Sequence, residues 1–125
     1  MDRNIWETIA NQCAPVLMDV KPSNLLILTR AEEAAFRQMD EIEGISCICL
    51  HSGKKSTWFL YRKDRLEAAL IWPQVREFLE TYGYGSLSFE EMLTRMARRY
   101  TLYKEKQADF PHELGIFLGY PLGAC

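Results

Sequence analysis

Residues 45–62 place the tightest constraint on the fold. Ile45 to His51 and Ser56 to Arg62 are rich in Ile, Thr, Trp, Phe and Tyr, which suit a pleated, half-buried surface. The polar stretch Ser52-Gly53-Lys54-Lys55 between them has the length of a hairpin loop, so a β-hairpin is predicted. On both sides of it the apolar residues recur with the period of a helix. A hairpin set among amphipathic helices predicts a small α+β fold, with a sheet of about three strands covered by helices on at least one face.

The flanking elements follow from the same periodicity. Ile5, Trp6, Ile9, Ala10 and Cys13 share one side of a helix that Pro15 is expected to end. Lys21-Pro22-Ser23-Asn24 is turn chemistry, and Leu25 to Thr29 behind it reads as a buried strand. Ala35, Phe36, Met39 and Ile42 mark a helix over residues 30–42, with Gly44 as its stop. After the hairpin, Asp64 is placed to cap a short helix, and Pro73 fits the first turn of another. Ser88 and Glu91 form a Ser-x-x-Glu capping box ahead of a four-turn stripe from Phe89 to Tyr103. A last short helix runs through Leu114 and Phe117 to a stop at Gly119 and Pro121.

No repeat, low-complexity run or linker interrupts the 125 residues, so residues 1–125 are read as a single globular domain. Fifteen basic against seventeen acidic residues give a net charge of −2, and a nucleic-acid partner is not expected. The apolar runs are far below the roughly 18 residues a membrane span needs, so no membrane association is expected. Met1-Asp2-Arg3-Asn4 leads straight into the amphipathic pattern and not into a secretory signal. With four cysteines in a chain long enough to build a core without staples, the expectation is a cytoplasmic protein with reduced thiols.

The chemistry-bearing motifs are each incomplete. Cys47-x-Cys49-x-His51 sets three soft ligands on one strand face, but alternate side chains stand about 6.6 Å apart. Zinc holds its sulfurs within about 4 Å of each other, so a bulge would be needed and core thiols are expected instead. Gly53-Lys54-Lys55-Ser56-Thr57 lacks the upstream glycine of a phosphate loop, since position 48 is Ile, and a strand follows it. His112-Glu113 begins like a zinc-protease helix, but Ile116 stands where the second histidine belongs. No metal and no cofactor are therefore assigned. Cys13 continues the buried stripe of the first helix, and a helix C-terminus raises a thiol's pKa, so nucleophilic chemistry there would require a partner such as His112. Arg95, Arg98 and Arg99 lie on the outward side of the long helix and form a candidate basic face, expected to be solvated because Glu90, Glu91 and Glu105 are interleaved with it.

Cys13-Ala14-Pro15, Lys21-Pro22-Ser23-Asn24-Leu25, Leu60-Tyr61-Arg62 and, most specifically, the run from Phe110-Pro111-His112-Glu113 to Gly119-Tyr120-Pro121 resemble the motifs of the bacterial domain-of-unknown-function family 3793. The resemblance spans nearly the whole chain in the expected order. It implies a cytoplasmic protein of anaerobic bacteria, brings no activity with it, and singles out Cys13, Pro15, His112, Glu113, Gly119, Tyr120 and Pro121. It also implies a further segment beyond the Gly-Tyr-Pro element, where this chain stops at Cys125.

The reading these residues favour is a non-enzymatic binding or adaptor protein that meets a protein partner, or a second copy of itself, through Phe117, Leu118, Tyr120 and Pro121. A thiol, haem or metal-linked redox or iron role using Cys13 and His112 is the alternative from a different class, and Glu113 stands beside them as a further candidate functional residue. An inhibitor of a nucleic-acid-targeting defence system, carried on a mobile element, is a third.

Overall fold

The computed structural model describes residues 3–120. Three strands, β1 (Ser23–Thr29), β2 (Ser46–Ser52) and β3 (Lys55–Tyr61), form an antiparallel sheet in the order β1-β3-β2. The predicted hairpin is β2-β3, with Ser52 opposite Ser56 and the turn tightened to Gly53-Lys54. The architecture is α+β, as the switch of hydrophobic period predicts.

Side-chain alternation along the central strand divides the interior in two. Trp58 and Leu60 of β3 pack with Leu26 and Leu28 of β1 under Ile9 and Val16 of helix α1 (Arg3–Leu17). Phe36 of helix α2 (Arg30–Arg37) packs against the same face. Phe59 and Tyr61 point the other way, into a larger core built with α3 (Lys63–Leu70), α4 (Pro73–Glu80), α5 (Phe89–Lys104) and α6 (Glu113–Phe117). The sheet is thus a middle layer with helices on both faces.

The helix ends show where local chemistry decides and where tertiary contacts override it. Ser88 and Glu91 form the predicted capping box on α5, and Pro73 sits at the start of α4. A second capping box, Thr29 with Glu32, starts α2. Asp64 does not cap α3: it lies in the first turn, and Arg62 occupies the cap position without a side-chain bond. Residues 38–42, predicted as the end of the second helix, form a loop, because α2 stops at Arg37.

Pro15 does not end α1 either. The helix kinks at Cys13 (φ −126°, ψ 19°) and resumes through Leu17, which puts Pro15 in the first turn of the resumed segment, where a missing N–H costs nothing. The Val16 N–H left over by the kink is taken by Asn24 Oδ1 at 2.9 Å. Arg62 closes the far end, donating to the carbonyls of Val16 (2.8 Å) and Leu17 (3.0 Å), the placement a helix C-terminus favours for a cation.

Candidate functional site

Cys13 is fully buried, and its Sγ–H donates to the Leu25 carbonyl at 3.5 Å. Burial pushes the thiol up to about 12, only partly offset by the Lys21 ammonium nearby. A thiol held protonated in this way is a poor nucleophile. Cys13 belongs to the α1 face of the sheet, whereas the segment after His112 packs into the opposite core. The structure therefore does not join Cys13 and His112 in one pocket; the His112 ring instead lies edge-on to Phe110, 6.0 Å between centroids.

Glu113 is the most unusual charged group in the chain, being fully buried at the first position of α6. Its Oε2 accepts from the Tyr84 hydroxyl at 2.8 Å and from Arg99 Nε, while Oε1 has no partner in the structure. Burial and the adjoining carboxylate hold the Tyr84 phenol well above its ordinary range. Arg99 and Tyr84 together supply the paired, hydrogen-bonded setting that a buried carboxylate requires.

That pairing corrects the predicted basic face. Arg99 turns inward to Glu113, and Arg95 donates twice to the Tyr82 carbonyl, at 3.0 and 2.7 Å, with its guanidinium over the Tyr84 ring. Only Arg98 of the three is exposed. Gly83, at φ +88°, makes the arrangement fit, because a Cβ there would lie 2.7 Å from the Arg95 guanidinium. A sequence pattern of helical spacing could not reveal that an arginine facing away from the sheet meets a loop folded over it.

The predicted partner surface is corrected as well. Phe117 and Leu118 are buried, since α6 is a core helix whose five residues are all enclosed. Tyr120 is half exposed, and Pro121 lies outside the described residues. What the C-terminal motif does in the fold is visible instead: the Ser23 hydroxyl donates to the Phe117 carbonyl at 2.6 Å, and Lys21 Nζ sits 4.6 Å from the Tyr120 ring centroid. Gly119, at φ +84°, approaches Pro22 so closely that a Cβ would lie 2.8 Å from its ring. The two motifs, 94 residues apart at that hydrogen bond, are one structural joint.

Cys47 is not a core thiol, and Cys49 is one only in part, packing half-buried against the α1-side core. Cys47 is exposed and Cys49 half-buried, because β2 is an edge strand and the shortened α2 leaves its face uncovered. The bulge that a metal site would need is present between Cys49 and His51. Even so, no group of three or more His, Cys, Asp or Glu side chains comes together among the described residues.

The short α2 leaves an open space beside the 38–45 loop. A groove of about 440 Å³ lies between the 38–45 loop and the sheet, floored by Trp58 and Leu60 and walled by Phe36, Met39, Ile42 and Ile45. Phe36 meets Trp58 edge-on at 5.0 Å, and the Arg37 guanidinium lies 4.9 Å over the same indole. Asp40, Glu41 and Cys47 stand at its rim. Two further hollows, of about 660 and 430 Å³, flank the same loop, and the half-exposed Trp6 lines the smaller. The sequence pattern missed this site because it extends the helix over the residues that form its wall.

No helix among the described residues is long and apolar enough to cross a membrane. No curated protein and no solved structure matches the chain. The family model "Protein of unknown function (DUF3793)" matches residues 9–124, from the middle of α1 to one residue short of the end, and so takes in the Cys13, Pro22–Asn24 and Glu113–Tyr120 elements that the fold joins. The chain belongs to that family.

Proposed function

We propose that the protein is a non-catalytic binding module of the cytoplasm, which docks a protein partner in the groove between the 38–45 loop and the sheet. The observation that carries this reading is the groove itself: an open concavity of about 440 Å³, lined by aliphatic and aromatic side chains and rimmed by polar ones. Concavities that combine apolar side chains with a few polar ones are the usual binding features of a protein surface, and Trp and Arg are the residues that most often anchor a partner. The groups that would support catalysis are committed inward: the Glu113 carboxylate to Tyr84 and Arg99, and the Cys13 thiol to the Leu25 carbonyl.

The test is comparative capture from the cytosol of a source bacterium with immobilised full-length protein. A partner of the groove is recovered by the wild type and by Arg76→Glu, a distant surface change, and is lost with Met39→Glu. Equal recovery by all three proteins, or no specific recovery by any, overturns the reading.

A further inference from the structure

The two edges of the sheet are treated differently. Along β1 the backbone is occupied: the Gln12 side-chain amide makes both bonds to Ile27, accepting from its N–H at 2.7 Å and donating to its carbonyl at 2.9 Å, and Cys13 serves the Leu25 carbonyl. Along β2 the cover is partial. Thr101 of α5 donates to the Leu50 carbonyl at 2.6 Å beside the bulge, but Ser46 and Cys47 ahead of it are exposed. Ser46-Cys47-Ile48-Cys49 contains no charge, proline or glycine, the devices by which an edge strand is usually protected from pairing.

This open edge borders the apolar groove, and both lie against an acidic loop. Asp40, Glu41 and Glu43 make no ion pair among the described residues, while each neighbouring cation has a carboxylate partner elsewhere: Arg37 has Glu33, Arg62 and Arg65 share Asp19, and Lys63 has Glu90. The uncompensated charge of the site is negative.

We propose that the β2 edge over Ser46–Cys49 receives an extended, basic segment of a protein partner as an added strand. One apolar side chain of the segment enters the groove against Trp58 and Ile45, and its lysines or arginines face Asp40, Glu41 and Glu43. Main-chain hydrogen bonds supply the attachment, and side chains alternating into the groove supply selectivity. A second copy of the chain is a poorer occupant, because edge-to-edge pairing would bring two acidic loops into one interface. The inference rests on the groove being the docking surface and adds the form and charge of what docks.

The probe is the peptide acetyl-Thr-Lys-Thr-Leu-Thr-Lys-Thr-amide, whose leucine and two lysines share one strand face, titrated at low salt into the ¹⁵N-labelled protein. Its counterparts are the same peptide with Glu for Lys, and two N-methylated forms that block the backbone amides of one edge or the other. Amide shifts are expected at residues 46–49 and in the 38–45 loop, with the Lys peptide binding at least about tenfold tighter than the Glu peptide. One N-methylated form is expected to lose binding and the other to keep it, and the exposed pair Asp40→Lys and Glu41→Lys reverses the charge preference. Equal binding by both N-methylated forms overturns strand addition, and self-association of the free chain through residues 46–49 overturns the partner segment in favour of a second copy. Shifts at Met39 and Ile42 without movement at 46–49 sink the strand while leaving the groove. Loss of the Met39→Glu effect in the capture experiment removes the groove itself.

Discussion

At the scale of single residues, the fold turns its reactive groups into structure. Glu113 would be a costly buried charge if alone, and Tyr84 and Arg99 are present to answer it. Cys13 is held protonated in an apolar layer, and this gives its titration a definite sign. A thiol whose pKa rises from 9.0 in the unfolded chain to about 12 in the native one favours folding at any pH below about 9. As pH climbs from there toward 12 the unfolded state loses the proton first, so that contribution is progressively lost. Between pH 9 and 10.5, the urea-derived stability of the wild type is expected to fall more steeply than that of Cys13→Ala. Tyr61 and Tyr84, both raised, contribute equally to the two proteins and cancel in the comparison. Parallel slopes would show that the thiol is not held neutral by the fold.

At the scale of elements, the joint between the turn before β1 and the turn after α6 is the most exposed to a small change. Gly119 combines a left-handed backbone with an approach to Pro22 that leaves no room for a methyl group. Gly119→Ala therefore meets both a conformational cost and a steric one, and is expected to destabilise by about 1–3 kcal/mol in urea unfolding. A substitution at that position with no loss of stability would mean that the two turns are not held together. Much of this level was legible in the sequence. The hairpin, the Ser88–Glu91 box and Pro73 at the start of α4 depend on neighbours a few positions apart, and local chemistry settles them. The kink at Cys13 and the early end of α2 were not legible. Asn24 and Arg62 support the first from elsewhere in the chain, and Met39 and Ile42 keep their apolar contacts with the α1-side core from a loop as readily as from a helix. An apolar residue at helical spacing reports that it is covered, not which backbone carries it. Phe117 and Leu118 show the converse: their apolar character suggests a surface for a partner, but the covering side chains come from the molecule itself.

At the scale of the whole molecule, two cores share one strand, and that sets how the protein unfolds. β3 sends Trp58 and Leu60 to the α1 side and Phe59 and Tyr61 to the other, and it pairs with both remaining strands. Neither core can lose β3 while the other keeps its floor, so the two are expected to melt together despite having no helix in common. Trp58 reports on the α1 side once the exposed Trp6 and Trp72 are replaced by Phe, while far-ultraviolet circular dichroism is dominated by helices, most of which lie on the other side. Ile9→Ala and Leu66→Ala each remove a fully buried side chain, one from each core. Each is expected to cost about 2–5 kcal/mol, to move the fluorescence and dichroism midpoints by the same amount, and to leave the denaturant slope unchanged. If Ile9→Ala lowered the Trp58 midpoint while the dichroism transition stayed in place, the α1 layer would be a separately folding unit. The shared strand would then couple the cores only weakly, and a partner strand added at β2 could stabilise one core without the other.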